Sequence, residues 1–173
     1  MSRQILTFTV ATVTLLVLGG CDVSESEGPS MEARLNGDLW QAEPFAYVHA
    51  DTALYVGGSV VQPCPGSSPC NDLYFVVDGF AKGDSFGEAG IYPVRSASYS
   101  VQGGDVIYGS FDAIDSLSTF RILSYNVSSR NIIGEFSGLF VLSDYIGPGL
   151  SLPDTLRFTE GSFDVQLSAG RQR

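Results

Sequence analysis

From about residue 31 onward, apolar and polar side chains alternate with a period of two, interrupted at short intervals by Gly, Pro, Asn or Asp. The clearest run is at the C-terminal end. Leu156 and Phe158 lead through Glu160 and Gly161 into Phe163, Val165 and Leu167, and Ser162, Asp164 and Gln166 fill the opposite parity. A pleated strand sends successive side chains to opposite faces, so this pattern predicts a half-buried antiparallel strand. Upstream, Ile132, Phe136, Phe140 and Leu142 share one face of a long strand with Gly134 and Gly138 between them. Its other face carries Glu135, Ser137 and Ser143 beside Ile133, Leu139 and Val141.

The earlier part of the chain gives shorter strands. Residues 33–35 and 38–40 flank Asn36-Gly37, which tolerates the positive φ angles of a type I′ hairpin turn. Strands are expected at 45–50 and 54–61, with Asp51-Thr52 turning between them. Leu73, Phe75 and Val77 alternate with Tyr74, Val76 and Asp78, so apolar groups on both faces predict a central strand. Residues 79–90 read as a Gly-rich loop, 91–94, 98–102 and 106–111 as short strands, and 119–127 as another before a turn at 128–131. A further loop is expected at Gly147-Pro148-Gly149. No stretch has a convincing helical period. About ten short strands separated by turn signals predict an all-β fold, an antiparallel β-sandwich or a partly closed barrel. Periodicity does not separate the two, because register and closure are long-range properties.

The first thirty residues do not fit this pattern. Arg3 is followed by an uncharged apolar run from Ile5 to Leu18, and then by Gly19-Gly20-Cys21. A spanning helix needs about 20 apolar residues, so this run reads as a removable export signal covering 1–20. Leu18-Gly19-Gly20-Cys21 resembles the lipobox of bacterial lipoproteins, which implies lipidation of Cys21 after cleavage before it. Two or three acyl chains, at about 0.8 kcal/mol per buried methylene, hold a protein on a membrane where one chain does not. Residues 21–30 are polar and acidic and are expected to form a flexible tether. A single β domain is expected over 31–173.

The whole chain has a formal net charge of −10, with 19 acidic residues all beyond position 20. Loss of Arg3 with the signal brings residues 21–173 to −11. No basic footprint for nucleic acid is present. Cys64 and Cys70 flank a turn-rich Pro-Gly-Ser-Ser-Pro spacer, so in an oxidising compartment a disulfide is expected, stabilising by about 2 kcal/mol on the chain-entropy model. A zinc site would need more soft ligands than His49 alone supplies.

Catalytic signatures are scarce. His49 is the only histidine, and no Gly-x-Ser-x-Gly elbow occurs. Glu135 stands among apolar neighbours and is the candidate acid for a carboxylate pair; its plainer reading is an outward acid paired with an arginine. Asp78, Asp84 and Glu88 place three hard ligands in the Gly-rich loop and make calcium a weak candidate, although their spacing is not that of an EF-hand. No other cofactor is implied. Asn126-Val127-Ser128 matches a glycosylation sequon, which in a bacterial lipoprotein is read as chance. Tyr74, Tyr92, Tyr99, Tyr108 and Tyr125 either fill the core or line a sheet face that stacks on sugars or a partner.

Four short patterns carry a family resemblance: Leu35-Asn36-Gly37-x-x-Trp40-x-Ala42, Gly90-Ile91-Tyr92, Ile132-x-Gly134-x-Phe136 and Glu160-Gly161-x-Phe163. Together they span about Met31 to Leu167, and the chain resembles small β-rich envelope lipoproteins of Bacteroidota and their relatives. The resemblance implies a lipid-anchored envelope protein with no established activity. The pair Cys64 and Cys70 is not part of that pattern. These readings lead to one main expectation and two alternatives. The main one is a non-catalytic envelope module, held in the outer membrane more readily than the inner, that binds a protein or glycan partner. The alternatives are an acidic inhibitor of a basic hydrolase such as a lysozyme, and a carbohydrate-active enzyme using Glu135.

Overall fold

The computed structural model describes residues 28–49, 53–60, 71–82, 85–103, 106–145 and 151–168. The expected export signal, Cys21, most of the expected tether, and both Cys64 and Cys70 lie outside the described residues. The described part is all-β. Its strands are β1 (Ser30–Leu35), β2 (Asp38–His49), β3 (Ala53–Val60), β4 (Asn71–Asp78), β5 (Ala81–Lys82), β6 (Ser85–Phe86), β7 (Gly90–Ile91), β8 (Val94–Gly103), β9 (Val106–Ala113), β10 (Thr119–Asn126), β11 (Asn131–Tyr145) and β12 (Thr155–Gln166). A single 3₁₀ turn at Asp115–Leu117 separates β9 from β10. No helix among the described residues is long and apolar enough to cross a membrane.

Ten of these strands form one antiparallel sheet in the order β12-β1-β2-β3-β4-β8-β9-β11-β10-β7, and β12 also pairs with β11. That last pairing closes the sheet. Eight strands, β12-β1-β2-β3-β4-β8-β9-β11, return to their starting point as an up-and-down barrel, so of the two expected architectures the barrel is the one adopted. β10 continues β9 along the same flank of β11, which holds Ala113 opposite Phe140 and Thr119 opposite Ser137. In the same way β7 precedes β8 and pairs with β10 at Arg121 and Ile122.

Where β1 has ended, β2 meets the C-terminal end of β12 directly. Ala46 forms a parallel bridge with Leu167, and its carbonyl accepts from the Ser168 amide at 2.9 Å and the Ser168 hydroxyl at 2.7 Å. At the other end of β1 the Asn36-Gly37 turn has φ of 52° and 97°. Asn36 fastens this turn to β12: its amide donates to the Arg157 carbonyl and its side-chain oxygen accepts from the Arg157 amide, both at 2.8 Å.

The interior is filled by side chains. Phe75 packs at ring-centroid distances of 5.6, 5.2 and 6.3 Å from Phe120, Phe136 and Phe140. Phe158 meets Trp40, Tyr99 and Phe140 at 5.4 Å each. An eight-stranded barrel is just wide enough for side chains to fill or for one small ligand. This one accommodates its phenyl rings by placing glycine opposite them: a Cβ on Gly134 would come within 2.6 Å of the Phe163 ring, and one on Gly161 within 2.7 Å of Phe136. Residues expected to form only a loop at 79–90 include the short β5–β6 hairpin. There Phe80 is fully buried, with Phe86, Tyr92 and Tyr125 at 5.9, 5.7 and 5.5 Å.

Candidate functional site

Because phenyl rings fill the barrel, the described residues present their chemistry on its outer wall. Strand parity decides which side chains appear there. Trp40 points inward, and β2 runs unbroken from Asp38 to His49, so Ala42, Ala46 and Val48 follow it inward. Phe45, Tyr47 and His49 therefore point out. Tyr55 lies directly opposite Tyr47 across the β2–β3 ladder, and the two rings stack at 4.8 Å and 9°. Phe45 continues the stack at 6.4 Å from Tyr47, over Gly57, whose absent Cβ leaves room for the ring. His49 meets Tyr55 edge-on at 6.0 Å. On β4 the same face continues with exposed Tyr74 and buried Val76.

This face has a charged border. Arg95 grips Asp78 with two bonds, one of them Nε to Oδ2 at 3.0 Å. The hydrogen bond and charge of Asp78, with a smaller contribution from Tyr55, hold the guanidinium above its usual pKa. Partial burial, together with the phenols of Tyr55 and Tyr74, pushes the Tyr47 hydroxyl up. Tyr55 and Tyr74 thus lie near Tyr47, and Tyr55 lies near Arg95. Tyr47 and Tyr55 each cover one face of the other's ring and are both half-buried.

The opposite wall holds a cleft of about 570 Å³ lined by Ile91, Thr119, Arg121, Glu135, Glu160 and Ser162, with Phe120, Phe136 and Gly161 beneath. Register builds it. Arg121 pairs with Ile91 on one side and Glu135 on the other, and Glu135 pairs with Ser162. A bulge in β12 sets two residues, Thr159 and Glu160, opposite Ser137 alone. Glu160 adopts φ of 52° there, a left-handed conformation that costs a side-chain-bearing residue about 1 kcal/mol or more relative to glycine. Arg121 Nη1 stands 3.9 Å from Glu135 Oε2, and Arg34 Nε stands 3.9 Å from Glu160 Oε2.

Glu135 is an outward, half-exposed acid facing Arg121, as its plainer reading expects, and Glu160 joins it in the cleft. His49 sits at the exposed end of β2. Asp78 is engaged by Arg95, Glu88 is exposed, and Asp84 lies outside the described residues. Among the described residues, no group of three or more His, Cys, Asp or Glu is arranged to hold a metal ion, and no charged residue is buried. The Asn126 side-chain oxygen accepts from the amides of Ser128 and Ser129, shaping the turn into β11. Of the five tyrosines considered for a surface role, Tyr99 belongs to the core, Tyr92 and Tyr125 pack on Phe80, Tyr74 lies on the aromatic face, and Tyr108 is half-buried with its ring over Gly103. Phe45, Tyr47 and Tyr55 were not singled out from sequence. Counting parity outward from Trp40 through a continuous β2 is the signal that finds the first two.

Compared with protein-family profiles, curated proteins and solved structures, the chain matches none.

Proposed function

We propose that this protein is a non-catalytic recognition module of the bacterial cell envelope, tethered to the outer membrane through lipidated Cys21, whose aromatic outer face docks a basic polypeptide partner. The observation that carries this reading is the stack of Phe45, Tyr47 and Tyr55 on the outside of a barrel whose interior is already packed. Tyrosine and arginine dominate the energetics of protein interfaces, because they combine large contact area with a polar tip. A sugar stacks on an open ring face. Tyr47 and Tyr55 each turn one face to the other, which favours a partner that also uses ring edges and hydroxyls, as a polypeptide does. The net charge of −10 favours a basic partner and a fast, salt-sensitive encounter. The export signal, the lipobox and the resemblance to envelope lipoproteins support the location.

The experiment compares wild-type protein with a Tyr47→Ala, Tyr55→Ala double variant as bait in solubilised native envelope at low and high salt. The expected result is a basic protein that the wild type captures at low salt, that high salt releases, and that the variant fails to hold while keeping its melting temperature. Equal capture by the variant, or capture of an acidic protein or a glycan through this face, refutes the reading. Mass spectrometry of the mature N-terminus tests the anchor separately: Cys21 without acyl chains removes the membrane from the account.

A further inference from the structure

We infer that the cleft between β7, β10, β11 and β12 is a second binding site, for a neutral, hydroxyl-rich ring such as one sugar unit of a glycan. It is independent of the aromatic face. Around the eight-membered ring β3 and β11 are four strands apart in either direction, so the two sites lie on opposite walls of the barrel.

Three features of the cleft define the ligand. The first is charge. The two carboxylates of the lining are each opposed by a guanidinium, Glu135 by Arg121 and Glu160 by Arg34 from outside the cleft, so neither is an uncompensated charge, and Glu32 stands across from Ser162 at the edge. A cation or an anion would have to displace one half of a pair, whereas an uncharged ligand displaces neither. The second is unused hydrogen-bonding capacity. At 3.9 Å both ion pairs are longer than hydrogen bonds, so carboxylate oxygens remain to accept and guanidinium N–H groups remain to donate. Ser162 lines the same space, as does Thr119, whose hydroxyl is shared with that of Ser137 at 2.8 Å. Vicinal hydroxyls on a pyranose, each donor and acceptor at once, match that mixture, and a carboxylate bonded by two hydroxyls is a strong, charge-assisted contact. The third is size and an apolar wall. About 570 Å³ falls within the range of small-molecule sites, and Ile91, among the most exposed apolar side chains of the protein, offers a surface for the C–H face of a ring.

The backbone at Glu160 points the same way. Glycine is the relaxed residue for φ of 52°, and Gly161 follows immediately, yet the left-handed position carries a glutamate whose side chain is largely in solvent. A side chain that contributes little packing and carries backbone strain has its use in what its carboxylate meets.

The test is a titration of the purified isotope-labelled protein with maltotriose, cellotriose and triacetylchitotriose, followed by amide NMR, with glucosamine and glucuronate as charged controls. At least one neutral trisaccharide is expected to shift the amides around Arg121, Glu135 and Glu160–Ser162, leaving those of Tyr47 and Tyr55 unmoved. Glu160→Gly is expected to weaken binding by about tenfold or more, the loss of one hydrogen bond to a charged group, while the melting temperature holds or rises. Glu135→Gln is the second variant, expected to weaken binding with the fold unchanged. The inference is overturned if no neutral sugar shifts the cleft, if a charged control binds there more tightly, or if both variants bind like wild type. It is also overturned if Glu160→Gly melts well below wild type, because the glutamate would then be structural. Sugar shifts on the aromatic face alone overturn this inference and the polypeptide reading together; shifts in the cleft leave that reading to its own experiment.

Discussion

Replacing Gly134 by alanine tests the account of the barrel interior most directly. Gly134 lies on β11 opposite Ile122 of β10 and Phe163 of β12. A Cβ there would stand 2.6 Å from Phe163 Cε1 and 2.5 Å from the Arg121 carbonyl oxygen. Unstrained carbon contacts lie at about 3.5–4.0 Å, so both neighbours must retreat by about 1 Å. Neither has an easy path. Phe163 is fully buried and stacked on Phe120 at 5.1 Å, and the Arg121 carbonyl belongs to the β10 backbone. Overpacking of this kind costs about 1–3 kcal/mol, against which alanine's lower backbone entropy in a strand returns about 0.5–1 kcal/mol. A net loss of about 1–2 kcal/mol is expected, a drop of about 2–8 °C in Tm for a chain of this size. Urea unfolding of Gly134→Ala, Phe163→Leu and the double variant separates the two clashes. Removing the ring should restore part of the loss, giving a favourable coupling of about 1 kcal/mol, while the carbonyl contact leaves the rest. An unchanged urea midpoint for Gly134→Ala, or strict additivity in the double variant, would refute the claim that this glycine exists to seat Phe163.

Two further outcomes follow from the core. Burial, and to a lesser extent the negative charge of Asp72, push the Tyr99 hydroxyl up to about 12, while the neighbouring Trp40 indole N–H pulls the other way without making a full hydrogen bond. The folded state therefore holds this proton more tightly than the unfolded chain at 10. The associated stability, about 2–3 kcal/mol at about 1.4 kcal/mol per pH unit, is intact below pH 10 and is lost as pH rises toward 12. Phenolate absorbance followed alongside denaturant midpoints checks it, and Tyr99→Phe should flatten that slope. Phe75→Ala, which vacates the centre of the ring cluster, should cost about 3–5 kcal/mol, read as a lower urea midpoint.

Alternation alone made the strands of the C-terminal half legible. Leu156, Phe158, Phe163, Val165 and Leu167 are buried as their parity predicts, and so are Ile132, Phe136 and Phe140 of β11. The Asn36-Gly37 turn was equally plain, because a positive φ is a local demand that few residues meet. Phase was harder than period. In Phe45-Ala-Tyr-Val-His49 the larger apolar groups suggest the core face, yet it is Ala46 that is buried. Trp40 fixes the parity of the whole strand, and Ala46 lies where β2 bridges to Leu167.

By itself, then, the sequence determined local conformation: strands, tight turns and the all-β class, each decided by neighbours a few residues apart. Only tertiary structure decided closure and assembly of the two sites. The pairings of β12 with β1 and β11, and of Glu135 with Ser162, join residues far apart in the chain. Their register depends on how bulges and aromatic rings share the volume of one barrel, and no local window of sequence contains that constraint.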